Sequence, residues 1–340
     1  MDKSSVYFSN NTLNRQREDI VAALGVKRVE KFEAYLGLPT LIGRAKYQTF
    51  YFLKDMVWKK LQGWNGRMLS RARKEVLIKA IAQSIPTYAM GVFQLPVKLC
   101  DELNAMCAKF WWGKVGNERK IHWKNWSFLS WPKNERGMGF RDLRFFNLAM
   151  LAKQGWRLLH DRSSLLFQCF KARYFPRFNF LDAIESPNCS YAWKSMVAAL
   201  PILKSGCCWR VGNGESIKVY LDKLIPKCPT NRILQQGQDA DREMLVSELI
   251  DAELNGRRRD MIMEKFSREE AAAICKIPLS QRNIVDSIVW LHTKKGKYSV
   301  KSGYHVARKV VRKNDGSEAL MVLVVRRYGR KFDSYMCQIK

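Results

Sequence analysis

Between Lys109 and Lys133 the tryptophans Trp111, Trp112, Trp123, Trp126 and Trp131 are interleaved with Lys109, Lys114, Arg119, Lys120, Lys124 and Lys133. Flat rings beside fixed cations suit an unpaired nucleic-acid strand, whose bases stack while its phosphates meet the charges. Arg71, Lys74 and Lys79, on a helix predicted upstream, extend the cationic set. Each residue also has a plainer reading. Clustered tryptophans plug helical cores, and a basic helix flank is often simply solvated.

Other chemistries find little support. The four histidines, His122, His160, His292 and His305, stand in no recognisable nucleophile or metalloprotease motif. The nine cysteines form no Cys-x-x-Cys and no Cys/His set at metal-ligand spacing, so no metal or cofactor is assigned. The first residues are polar and show no secretory signal, so reduced thiols in the cytoplasm or nucleus are expected. Sixty Lys and Arg against 31 Asp and Glu leave a formal charge of +29, which points to a polyanionic partner. RNA, DNA or their hybrid fits better than a membrane, because the cations run along the whole chain and no apolar span accompanies them. No small-molecule substrate is indicated.

The elements that must carry these residues are mostly helices. After a strand-like Val6-Tyr-Phe8, a helix is expected from Thr12 to Leu24, closed by Gly25. Phe50, Leu53, Val57 and Leu61 form one helical stripe within Arg44 to Leu61, which Gly63 should stop. The next helix, Ser70 to Ser84, should bury Leu69, Ala72, Val76, Leu77, Ala80 and Ile81, a stripe on which Arg73 falls while Arg71 and Lys74 point away. Leu99, Leu103, Met106 and Phe110 mark a third helix, and Phe145, Leu148, Ala152, Trp156 and Leu159 a fourth, from Asp142 to Leu159. Further helices are expected from Ser163 to about Tyr174, around Pro187 to Ser205, near Val246 to Leu254, and from a capping box at Ser267-Arg-Glu-Glu270. Trp209 and Val211, Gly212-Asn-Gly214, then Ile217, Val219 and Leu221 read as a β-hairpin. The expected fold is mainly α, with a smaller α+β part at the C-terminal end.

Many consecutive motifs carry a resemblance. Tyr35-Leu-Gly-Leu-Pro39, Ile42-Gly-Arg44, Val57-Trp-Lys-Lys-Leu-Gln-Gly-Trp64, Leu69-Ser-Arg-Ala72, Glu75-Val-Leu-Ile-Lys-Ala80, Phe110-Trp-Trp-Gly113, Gly137-Met-Gly-Phe140 and Leu151-Ala-Lys-Gln-Gly-Trp156 stand in one order. In that order they resemble the reverse-transcriptase polyprotein of plant LINE-type (non-LTR) retrotransposons. Gly296-Lys-Tyr-Ser-Val-Lys-Ser-Gly-Tyr304 resembles the entry to that family's zinc-binding domain, though the cysteines and histidines naming it do not follow.

The resemblance implies a division of the chain: 1–34 as the end of a palm-like region, 35–205 as a helical thumb or connection, 206–240 as hairpin and linker, 241–310 as an α+β segment entering the zinc-binding region, and 311–340 as a divergent basic tail. The family's polymerase site is a hairpin with adjacent aspartates that hold two Mg²⁺ ions. No two aspartates are adjacent in this chain. No catalytic residue is therefore assigned, and the expected function is sequence-tolerant nucleic-acid binding without catalysis. The alternatives are a host-adopted structural or protein-interaction protein and an inert product.

Overall fold

A computed structural model of the chain describes residues 5–8, 11–29, 34–40, 42–64, 69–113, 121–224, 243–251, 256–279 and 284–314. Residues 225–240 of the expected linker and 315–340 of the expected basic tail lie outside them. Among the described residues the fold is mainly helical, and every sheet is two-stranded. The chain divides into two compact units, with breaks at Ala89/Met90, Gln94/Leu95 and Arg144/Phe145.

In the first unit, the Asn14–Leu24 helix ends at Gly25, whose φ of 60° supplies the left-handed turn a β-carbon would resist. Tyr35-Leu-Gly-Leu-Pro39 turns back on itself: Ala34–Tyr35 pairs antiparallel with Leu38–Pro39, around Leu36 and Gly37 at positive φ. The Lys46–Trp64 helix buries Phe50, Leu53, Val57 and Leu61, the stripe its periodicity predicts. Each such burial is worth about 1.5–3 kcal/mol. The helix runs through Gly63, because a lone glycine weakens a packed helix without ending it. It packs against the Val97–Trp112 helix, which buries Leu99, Leu103, Cys107 and Phe110.

The predicted Ser70–Ser84 helix is corrected in one important respect. It is α-helical from Arg71 to Leu77 and π-helical from Ile78 to Ala82, and the wider turn rotates its inner face. Ile78, Ala82 and Gln83 are buried, whereas Val76, expected inside, is 62% exposed, and Ala72 and Ala80 are exposed too. Arg73, in the α-helical part, is exposed and does not abut the core.

The second unit is organised around fully buried Trp193, stacked on Tyr174 and Phe175 with ring centroids 4.7 and 5.5 Å away. The Leu165–Tyr174, Tyr191–Ala198, Leu200–Gly206 and Val300–Asn314 helices close over this core, with the Phe145–His160 part of the Leu143–His160 helix. Asn147, buried in that helix, donates to the carbonyls of Met90 and Phe93 at 3.0 and 2.9 Å. A second cluster gathers Val211, Ile217, Val219, Phe266 and Ile274. The Ser267 cap forms as the sequence predicts, its Oγ accepting from the Glu270 N–H.

The β-hairpin is corrected as well. Cys207–Arg210 pairs antiparallel with Ser287–Trp290, far along the chain, and not with Ile217–Leu221. Residues 217 and 219 bond instead to Val246 and Met244. Near Val246, likewise, one 3₁₀ turn gives way to a strand, Ile250–Asp251, paired with Gly256–Arg257. Asp286 explains the rerouting. Its carboxylate accepts the N–H groups of Gly212 (2.7 Å), Gly214 (3.0 Å) and Ser216 (2.9 Å), holding the tight turn against the start of the Ser287 strand. A β-carbon at Gly212 would overlap the carbonyl oxygen of Ile284.

Replacing Asp286 by Ala strands three backbone donors, and buried unpaired donors cost about 1–3 kcal/mol each where water cannot reach them. Equilibrium urea unfolding of Asp286→Ala should show a loss of about 2 kcal/mol or more. A loss below about 0.5 kcal/mol would mean water replaces the carboxylate at no net cost.

Candidate nucleic-acid interface

The tryptophan-rich segment lies in the first unit and sorts into an inner and an outer layer. Inside, Trp111 is only 5% exposed and meets the Phe140 ring edge-on at 5.2 Å. Trp126, half-buried, stacks flat on the same Phe140 ring at 5.0 Å and 10°. Trp111 and Phe140 belong to the core, and Trp126 covers them. Phe128 and Trp131 stack at 5.6 Å beside them.

The outer layer starts where the Arg71–Leu77 helix begins. Ser70 Oγ accepts the Arg73 N–H at 3.3 Å, which fixes the first turn and the departure of Arg71. The exposed Arg71 guanidinium lies 5.5 Å from the Trp111 ring and 5.6 Å from the Trp112 ring. Trp112 in turn stacks with His122 at 6.0 Å, and neighbouring Trp123 is 74% exposed. Lys109 is exposed on the same helix as Trp112. Lys74 Nζ sits 5.8 Å from the Phe110 ring, and Lys124 Nζ 4.6 Å from the Phe128 ring. The indole N–H groups of Trp112, Trp126 and Trp131 are buried without an acceptor among the described residues.

Lys79 is placed differently from the other cations. It donates to Glu75 at 2.6 Å and to the Met138 carbonyl at 2.7 Å, with its ammonium over the Phe140 ring. Lys133 reaches the same Glu75 oxygen at 3.0 Å. The hydrogen bonds from Lys79 and then Lys133 hold the Glu75 carboxyl below its ordinary range. Lys79 thus ties the rotated helix to the 137–140 segment.

Of the cations and tryptophans singled out from sequence, the structure brings Arg71, Lys74, Trp111 and Trp112 together, with Lys109 on the same helix as both tryptophans. Lys79 and Lys124 sit over separate rings, those of Phe140 and Phe128. Lys114, Arg119 and Lys120 lie outside the described residues. The stacking of His122 on Trp112 and the exposure of Trp123 were not foreseen as parts of one surface, although Ile121-His-Trp123 offered an exposed ring beside an imidazole.

Other chemistry is not assembled here. Among the described residues no three His, Cys, Asp or Glu gather as a metal site. Burial pushes the thiols of Cys100, Cys107 and Cys207 up to about 12 and that of Cys208 up to about 11, far from nucleophilic thiolates. The two ring nitrogens of His160 lie 3.1 and 2.9 Å from the carbonyls of Trp156 and Ile288. Among the described residues no helix is long and apolar enough to cross a membrane.

Two plant proteins are similar to the chain. It is 38% identical over 143 residues to "Uncharacterized mitochondrial protein AtMg00310" of Arabidopsis thaliana, a match covering 93% of that protein and 42% of this chain. The chain belongs to that protein's family. It is also 26% identical over 281 residues, 79% of its length, to "Putative ribonuclease H protein At1g65750" of the same plant. That match spans 44% of the longer relative. No protein-family model matches the chain.

The lowered Glu75 carboxyl makes a pH prediction. A group whose folded pKa is depressed contributes stability above its unfolded value, taken as 4.5, and that contribution is lost as pH falls through the folded value. Glu75→Gln should therefore be less stable than the parent at neutral pH, by about 1 kcal/mol given partial exposure, and the gap should close as pH falls below 4.5. Thermal melts of both proteins across that range check this. A gap independent of pH would mean the carboxylate's charge is not what holds Lys79 and Lys133.

Proposed function

We propose that the chain is a retroelement-derived, non-catalytic protein that binds single-stranded or hybrid nucleic acid without sequence preference. On this reading it is the gripping part of a LINE-type reverse transcriptase, running from the end of the palm through thumb and connection to the start of the zinc-binding region. The observation that carries the binding proposal is the outer layer of the first unit. There Arg71 overlies Trp111 and Trp112, Trp112 stacks on His122, and Trp123 stands open to solvent beside them. Exposed rings flanked by guanidinium and ammonium groups offer stacking platforms and phosphate contacts, a combination indifferent to base identity.

The net charge of +29 supports the same reading, since it favours a polyanion over a protein–protein interface, which is depleted in Lys. Similarity to a relative named for ribonuclease H fits a nucleic-acid role. The absence of catalysis is inferred from the sequence: polymerase chemistry needs carboxylates converging on two metal ions, and no adjacent aspartates supply them.

Binding of the purified chain to single-stranded RNA, duplex DNA and an RNA–DNA hybrid across a salt series tests the proposal. A log-log slope steeper than about −4 is expected, with the single strand or hybrid preferred. The triple change Arg71→Ala, Lys109→Gln, Trp123→Ala alters exposed side chains only and should weaken binding roughly tenfold or more, since each lost stacking or phosphate contact costs about 1 kcal/mol or more. Unchanged affinity in a variant with unchanged far-UV circular dichroism would move the interface elsewhere.

A further inference from the structure

The second unit carries a cationic pocket that the nucleic-acid reading does not use. It has a volume of about 370 Å³ and lies between one face of the Val300–Asn314 helix and the loop that follows Trp290. Lys301, His305 and Lys309 project along the helix face at four-residue spacing, and His292, Thr293 and Ser299 come from the loop. Among the described residues no carboxylate lines it. We propose that this pocket binds a phosphate group carried on a ligand of nucleotide size.

The chemistry of the lining is that of a phosphate receptor. Two ammonium groups supply charge and two imidazoles supply ring nitrogens that can donate to phosphate oxygens, while the Thr293 and Ser299 hydroxyls are spent on the Lys297 carbonyl and on Ser302 and shape the wall. The volume exceeds what an inorganic anion needs and falls within the range of small-ligand sites. The helix terminus itself is not the receptor. Ser299 Oγ already accepts the Ser302 N–H at 3.2 Å, so the opening turn is capped from within the chain.

The walls are held rigidly. Trp290, fully buried, donates its indole N–H to Ser302 Oγ at 2.8 Å, which pins the helix to the strand that leads into the loop. Trp290 N–H bonds to the Gly296 carbonyl at 2.8 Å, and Thr293 Oγ1 donates to the Lys297 carbonyl at 2.7 Å, closing the loop on itself. His292 meets the Trp290 ring edge-on at 5.3 Å. Burial first, and then the nearby Lys309 charge, disfavour the protonated form of His292. An anion seated between them would offset the Lys309 effect, so the pocket gains more from a bound phosphate than an open lysine surface does.

The four histidines make the test direct. In the whole chain, the imidazole Cε1–H resonances report on His292 and His305 inside the pocket, with His160 as the internal control and His122 reporting separately on the tryptophan surface. Inorganic phosphate, a nucleoside 5′-monophosphate, and oligonucleotides with and without a 5′-phosphate are titrated at constant ionic strength, balanced with chloride. Saturable shifts of His292 and His305 are expected, with the monophosphate binding more tightly than inorganic phosphate. A stronger response to the 5′-phosphorylated oligonucleotide than to its unphosphorylated counterpart would identify a strand terminus as the ligand; a response to the mononucleotide alone would identify a free nucleotide. Lys301→Gln with Lys309→Gln, both at exposed positions, should weaken binding about tenfold or more while leaving the His122 and His160 resonances in place. No saturable shift of His292 and His305 at millimolar phosphate, or an equal shift of His160, would overturn the proposal. Because pocket and tryptophan surface belong to different units, losing one binding activity leaves the other measurable.

Discussion

A folded chain with 60 basic and 31 acidic side chains has too few carboxylates to give each cation its own. Among the described residues, aromatic rings also hold cations in place. Arg71, Lys74, Lys79, Lys98, Lys124, Lys171 and Arg173 all lie over ring faces, within 4.6 to 5.8 Å of the centroid. A ring attracts a cation by about 0.5–1 kcal/mol at an exposed site and leaves the charge formally uncompensated. That combination suits a protein that must hold its positive surface in order and still offer it to a polyanion. Where a carboxylate does occur amid the cations, as at Glu75, it gathers two lysines and serves to fix the scaffold.

The helical framework was legible wherever one helix buries one regular stripe. Phe50, Leu53, Val57 and Leu61 are all inside, because nothing interrupts the 3.6-residue period of the Lys46–Trp64 helix. The next helix was misread because five residues adopt the π form, and a single wider turn shifts every later side chain around the axis. Gln83 on the inside is its consequence, whereas Val76 and Ala72, upstream of the π turn, are exposed in the α-helical part. The hairpin was misread for another reason. Alternation and a Gly-Asn-Gly turn describe local geometry, while the pairing of Cys207–Arg210 with Ser287–Trp290 depends on Asp286, more than seventy residues beyond the turn. Strand partners so far apart leave no periodic mark in the sequence.

The candidate interface was partly legible. Composition located the cations and tryptophans, but composition alone does not divide a tryptophan cluster into core and surface. Phe140 makes that division: Trp111 and Trp126 pack on it and turn inward, leaving Trp112 to the Arg71 and His122 side. Lys79 was grouped with the strand-binding cations on charge, and its geometry with Glu75 and Met138 gives it a structural tie. The cationic pocket of the second unit was invisible because Lys301, His305 and Lys309 become neighbours of His292 only once the loop folds back on the helix.

The central claim is that a nucleic-acid strand lies on the outer layer formed by Arg71, Trp112, His122 and Trp123. Photo-crosslinking of a 4-thiouridine-substituted single-stranded RNA to the purified chain, with the attachment sites mapped by mass spectrometry, tests it most directly. The account predicts crosslinks concentrated at Trp112 and Trp123 that disappear as salt is raised. Crosslinks scattered over both units in proportion to exposed lysines, or absent at low salt, would contradict it.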